Sequence, residues 1–181
     1  MTTTIRTMTP DDLHMVLAWA RDEGWNPGDG DGGYFLPADP GGFLLAQRDG
    51  RPSGSISMVR YGDAYAFCGL FIVVPERRGG ADGVRLARAA LDLAGDRMIG
   101  TDGVTERADA YARLGFEAAH SHTRHSGVVV PDDPPEVVGL AQEHVDAVVA
   151  LDDECFPGDR RAFMRAWIDA PHVTRVLLDP S

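Results

Sequence analysis

Residues 64–75, AYAFCGLFIVVP, restrict the fold more than any other stretch of this chain. The run is apolar at nearly every position, with no alternation that would leave one face to water. A strand apolar on both faces needs cover on both, which puts it at the centre of a sheet between two layers. A proline ends the run, and ERRGGADG then leads into a helix over DGVRLARAALDLAGD. With 181 residues, 44% of them hydrophobic, the chain can bury the core such a layered arrangement needs.

The flanking segments give the rest of the order. TTTIRTMT is short and β-branched, a first strand. A helix follows: Thr9 can cap it, Pro10 suits its first position, and Asp11 and Asp12 face its positive end. Leu13, Val16, Leu17 and Ala20 form its apolar stripe, and Gly24 is placed to stop it. NPGDGDGGYFLPADPGG reads as a long loop with room for one short helical turn. FLLAQRDG, RPSGSISMVRYGD and AYAFCGLFIVVP then make an antiparallel meander, turning at Asp49-Gly50 and Gly62-Asp63. After the helix come a strand in RMIGTDGV, a short helix in TERADAYARLG and a last hairpin in FEAAHSHTRHSGVVV. The order is β-α-β-β-β-α-β-α-β, a mixed α/β (α+β) domain over residues 1–130.

PDDPPE, residues 131–136, has the composition of a linker. Beyond it, an offset of 132 lays Val145, Val148, Val149 and Ala150 over Leu13, Val16, Leu17 and Ala18. Residues 137–181 thus read as the incomplete start of a second copy, too short for a whole domain. Its helix AFMRAWI must bury an apolar face either on the first domain or on a partner chain, so a homodimer is one expectation.

Charge and cysteine content narrow the function classes. Seventeen basic residues against 28 acidic ones give a net charge of −11, which disfavours nonspecific nucleic-acid binding and mildly favours cationic or amine substrates. Cys68 sits in the apolar run and Cys155 follows an acidic stretch, so neither is placed as a nucleophile and no disulfide framework exists. No apolar stretch reaches the roughly 18 residues of a membrane helix, and the start lacks a signal core, so a cytoplasmic location without a membrane partner is expected.

The chemistry-bearing residues cluster at the strand-to-helix loop. Arg78, Gly79, Gly80, Ala81, Asp82, Gly83 and Val84 stand where a helix start presents unsatisfied N–H groups to an anion. Neither GxxxxGK[ST] nor GxGxxG is present, so locally the loop is either an anion cradle or an ordinary turn. His120, His122 and His125 alternate without a Cys or carboxylate at ligand spacing; they read as surface positions, and no metal is expected. Asp152, Asp153 and Glu154 read likewise as a solvated helix end.

Two stretches together resemble a known family. GLFIVVPERRGGADG is similar to the acetyl-CoA-binding motif of the GNAT N-acetyltransferase superfamily, with Arg78, Ala81 and Gly83 at its key positions. DAYARLGFEAA resembles the second signature of that family, matched at Tyr111, Leu114, Gly115 and Phe116. GWNPGDGD, IGTDGV and DDECFPGDRRAFMRAWIDAP look like a tandem subfamily with two such domains per chain, here with the second one truncated.

The resemblance implies a GNAT fold and an acetyl-CoA-dependent N-acetyltransferase acting on a primary amine of a small molecule or protein. It implies that main-chain groups of Phe71, Ile72 and Val73 pair with the pantetheine arm, and that N–H groups from Arg78 to Val84 hold the pyrophosphate. It implies Tyr111 as general acid toward the departing thiolate; an aromatic that merely packs its helix is the plain alternative. Glu23, Trp25 and Asn26 stand near where the family receives its acceptor, Glu23 being a general base by position alone. Asp82 departs from the pattern. Pointing inward it would repel a pyrophosphate, and the rival expectation is then a non-catalytic acetyl-CoA-sensing or scaffold module with a degenerate loop.

Overall fold

The computed structural model describes residues 3–28, 30–123, 125, 127–128 and 136–178. They divide into two compact units, Met1–Thr101 with Val145–Pro171, and Asp102–His144 with His172–Ser181. No helix among the described residues is long and apolar enough to cross a membrane.

The first unit is built on a five-stranded sheet: β1 (Thr3–Thr7), β2 (Phe43–Arg48), β3 (Arg51–Tyr61), β4 (Tyr65–Val73) and β5 (Met98–Thr101), paired in that order. The first three pairings are antiparallel and β4–β5 is parallel, as a helical crossover between them requires. The crossover is α3 (Ala81–Ala94). On the opposite face lie α1 (Pro10–Asp22) and α2 (Asp31–Ala38).

Alternation along the strands sorts side chains into two cores. Phe43, Leu45, Val59, Tyr61 and Tyr65 meet Leu13 and Val16 of α1. Leu44, Ala46, Ile56, Met58 and Ala66 meet Leu86, Ala90 and Ala94 of α3. The double cover expected of β4 thus extends to β2 and β3.

Local chemistry explains α1 and its neighbours. The Thr9 hydroxyl accepts from the Asp12 N–H at 3.2 Å, and the Asp12 carboxylate accepts from the Thr9 N–H at 2.7 Å, a reciprocal cap. Arg6 donates to the same carboxylate at 2.6 and 3.0 Å, tying β1 to the helix start. Gly24 ends α1 with φ of 77°. Asp49 and Gly50 both take positive φ, 52° and 78°, the turn a two-residue hairpin loop uses.

Two expectations are corrected. The loop after Gly24 contains a two-turn helix, α2, rather than a single turn. Its start is held by Asp31, whose carboxylate accepts from the Gly28 N–H at 2.8 Å, and its Phe35 stacks on Phe163 with ring centroids 4.6 Å apart. The hairpin expected over 116–130 is absent from the described part of that stretch, where no strand forms and Phe116 alone is not fully exposed. The HSHTRH alternation is polar on both faces, so it offers no apolar side to pack; the remainder of the stretch and residues 131–135 of the expected linker, 131–136, lie outside the described residues.

Residues 137–181 contribute to both units. The helices α5 (Val145–Cys155) and α6 (Arg161–Ile168) belong to the first, where Phe156 sets its ring edge-on to Tyr61 at 5.1 Å and to Tyr65 at 5.3 Å. Arg160 lies 3.8 Å over the Phe156 ring and donates to Asp152 at 2.8 Å. The second unit holds α4 (Ala108–Ala112) and the antiparallel pair β6 (Val137–Gly139) and β7 (Arg175–Leu177).

Candidate functional site

The end of β4 and the start of α3 form one continuous surface. β5 pairs with β4 only from Tyr65 to Cys68, so beyond that point the β5-side edge of β4 carries no strand among the described residues. That free edge, residues 69–73, includes three residues expected to bind cofactor: Phe71 at the surface, Ile72 buried and Val73 half-buried.

The loop that follows is set by specific residues. Gly79 has φ of 75°, a conformation a side chain would strain. Gly83 lets the first turn of α3 lie against β4, since a Cβ there would stand 3.3 Å from a Val73 methyl and 3.6 Å from the Phe71 ring. Gly80 precedes the helix in an extended conformation and no side chain among the described residues caps the first turn, while Ala81 and Val84 are exposed. Uncapped N–H groups and the field of the helix favour an anion there. Such an arrangement can take an extended, amide-bearing arm along the β4 edge and a phosphate at the helix start.

Arg78 and Glu23 are brought together. The Arg78 Nε donates to the Val73 carbonyl at 2.9 Å, and its Nη2 forms an ion pair with the Glu23 carboxylate at the end of α1. A residue expected on the coenzyme side thus touches one expected on the acceptor side. Trp25 and Asn26 follow on the exposed turn after α1, and the Trp25 N–H donates to the Ala20 carbonyl at 2.9 Å.

Asp82 points neither to solvent nor along the loop. It is 1% exposed, its Oδ1 accepts from the Thr3 hydroxyl at 2.7 Å, and Arg48 Nη1 stands 3.7 Å from the same oxygen. Both partners belong to β1 and β2.

In the second unit, Tyr111 is half-buried on α4. Its ring meets Phe116 edge-on with centroids 6.0 Å apart, and a Cβ on Gly103 would stand 2.6 Å from it. The Tyr111 carbonyl accepts from the Phe116 N–H at 3.2 Å across Gly115, whose φ is 91°. Leu-Gly-Phe therefore folds back around the tyrosine. His120 and His122 stand beside each other, with His122 Nε2 3.3 Å from Asp102. No group of three or more metal-ligating side chains occurs among the described residues.

Sequence reasoning passed over β3 at this site. Ser55 is fully buried and donates to the Leu70 carbonyl at 2.8 Å, and Leu70 adopts φ of 47°. A left-handed leucine costs on the order of 1–2 kcal/mol. The available signal was SGSIS, hydroxyls inside a strand that the meander places in the core.

Comparison with known proteins agrees with this geometry. A family model described as the acetyltransferase (GNAT) family matches residues 12–116. Holothin acyltransferase of a Pseudoalteromonas strain is 31% identical over 159 residues, which cover 87% of this chain and 54% of that protein. The chain therefore spans about half the length of that curated relative. A Pyrococcus horikoshii structure described as an acetyltransferase superposes with a TM-score of 0.72 at 21% identity, covering 96% of this chain and 64% of the other. An N-acetylglutamate synthase from Neisseria gonorrhoeae, complexed with coenzyme A and L-arginine, gives 0.53 at 18% identity, over 65% of this chain and 28% of that one.

Proposed function

The chain belongs to the acetyltransferase (GNAT) family, and on that footing we propose that it transfers an acetyl group from acetyl-CoA to a primary amine of a small molecule or protein. The observation that carries this reading is the run of free β4 edge, residues 69–73, into the uncapped start of α3. Main-chain groups of Phe71, Ile72 and Val73 take the pantetheine arm as an added strand, and the N–H groups of Gly79 and of Ala81 to Val84 hold the pyrophosphate, those of Arg78 and Gly80 being donated to the Pro75 and Arg77 carbonyls at 3.3 Å. Acetyl-CoA, when bound, supplies an acyl group already activated as a thioester.

The remaining work falls to this chain. The amine attacks the thioester carbonyl directly, and a β4 N–H donates to the oxygen as negative charge develops on it. Tyr111 gives its proton to the departing thiolate as the C–S bond breaks, and the proton shed by the amine nitrogen restores it through solvent. Glu23, Trp25 and Asn26 form the acceptor side. The scaffold alternative drew on an anion in the anion site, and the partners of Asp82 on β1 and β2 weigh against it.

Residues 137–181 read as the opening of a second domain of the same kind. β6, α5, α6 and β7 repeat the order β1, α1, α2 and β2, and in both sets the two strands pair antiparallel. One offset, 132, carries Pro10 at the start of α1 onto Gln142, where the helical segment leading into α5 begins, and Phe43 at the start of β2 onto Arg175 at the start of β7. The greater length of the holothin acyltransferase agrees with that layout.

Thermal stabilisation by acetyl-CoA, with thiol release measured over a panel of amines, tests the reading. At a hundredfold excess over Kd the coenzyme should add about 2.7 kcal/mol. Tyr111→Phe should abolish turnover while keeping that stabilisation. No shift at millimolar coenzyme would overturn the proposal.

A further inference from the structure

Ser55 lies in the middle of β3 with no exposed surface, where a hydroxyl needs a partner. Its partner is the carbonyl of Leu70, at 2.8 Å. The β3–β4 register slips at this point: Ser57 faces Gly69 and Ser55 faces Ile72, so Leu70 and Phe71 share the place opposite Ile56. Leu70 is left-handed, a conformation that a residue with a Cβ keeps only when its surroundings impose it.

The planarity of the peptide group carries the consequence. In a trans peptide the C=O and the N–H point in opposite directions. The Leu70 carbonyl is turned toward β3, where Ser55 holds it, so the Phe71 N–H of the same peptide is turned toward the other side of β4. On that side β5 has already ended, at the Cys68–Thr101 pair.

We infer that Ser55 is a positioning residue whose hydroxyl fixes the Leu70–Phe71 peptide so that the Phe71 N–H is aimed at the acyl carbonyl oxygen of the bound thioester. This rests on the acetyltransferase reading and adds to it which N–H stabilises the oxyanion and what aims it.

The test compares the wild-type chain with Ser55→Ala and Ser55→Thr by two readouts. The first is steady-state transfer from acetyl-CoA to the best amine of the panel. Ser55→Ala should lower kcat about ten- to hundredfold with KM for acetyl-CoA within about twofold, since a misaimed oxyanion donor acts on the transition state alone. Ser55→Thr, which keeps the hydroxyl, should recover most of that rate. The second readout is the backbone NMR spectrum of the free protein, where Ser55→Ala should shift the Leu70 and Phe71 resonances as Leu70 leaves its left-handed conformation and leave those of Val59 and Phe67 unchanged. Ser55→Ala indistinguishable from wild type in both readouts would overturn the inference. So would parallel loss of coenzyme binding and rate together with shifted resonances throughout the sheet, the mark of a merely structural serine. Wild-type protein without transfer would sink the acetyltransferase reading instead, and unchanged Leu70 and Phe71 resonances would then still refute the positioning role.

Discussion

Removing the Asp82 side chain separates two roles that a carboxylate in the first turn of α3 could have. The side chain is 1% exposed and accepts from the Thr3 hydroxyl at 2.7 Å. Arg48, 3.7 Å away and partly exposed, contributes less, as ion pairs near solvent do. Asp82→Ala leaves the Thr3 hydroxyl without its charged acceptor, at a cost of about 2 kcal/mol. For a chain of this size that corresponds to a fall in Tm of roughly 4–8 °C. Asp82→Asn keeps an acceptor for Thr3 and should fall by less than half as much. Its Oδ2 has no hydrogen-bond partner among the described residues, so the amide that replaces it forfeits no bond there. Coenzyme affinity follows a different rule. The carboxylate is engaged at β1 and β2, so neutralising it should change the Kd for acetyl-CoA by less than about threefold, the scale of a screened interaction. Differential scanning fluorimetry and calorimetric titration of both variants read the two effects separately. An unchanged Tm for Asp82→Ala, or a tenfold gain in affinity for Asp82→Asn, would refute the reasoning.

Two further outcomes follow from buried groups. Burial pushes the Cys68 thiol up to about 11 whereas Cys155 is exposed, so a thiol reagent at about pH 8 should label one cysteine in native protein and two in denaturant; rapid native labelling of both would contradict this. Burial alone would raise the Asp39 carboxyl, but the Arg60 guanidinium and N–H, at 2.7–2.9 Å, outweigh it and hold the group below the usual aspartate range. Stability from this pair is therefore complete above the ordinary value near 3.9 and lost as pH falls through the lower folded value. Asp39→Asn should destabilise by about 1–3 kcal/mol at neutral pH and shrink the loss seen in urea melts on acidification; an equally steep acid loss would show that Asp39 is not its source.

Much of the frame was legible because the signals were local. Thr9-Pro10-Asp11-Asp12 and Gly24 mark α1 at both ends, and the same residues make its caps in space. Asp49-Gly50 and Gly62 announce their turns through backbone freedom alone. What was not legible depends on partners far along the chain. α2 is held partly by the stacking of Phe35 on Phe163, which no window of sequence contains. The slip at Leu70 is a property of two strands in register, and neither SGSIS nor CGLFI carries it. For Asp82, sequence placed a carboxylate in the first turn of a helix, but its direction was decided by Thr3 and Arg48 on other strands.

The loop between β4 and α3 can be taken apart residue by residue to ask which features need a ligand to explain them. Gly79 serves a backbone conformation and Gly83 a close approach to Val73 and Phe71, and a plain turn would want both. Arg78 folds back onto the Val73 carbonyl and the Glu23 carboxylate, so its charge is already engaged within the unit. Asp82 is different. An acid in a first turn would ordinarily serve the N–H groups of its own helix. Here it is committed to β1 and β2, and no side chain among the described residues caps α3. Those N–H groups, beside a strand edge that β5 leaves open, are what packing within the first unit does not explain and what the proposed anionic cofactor would take up.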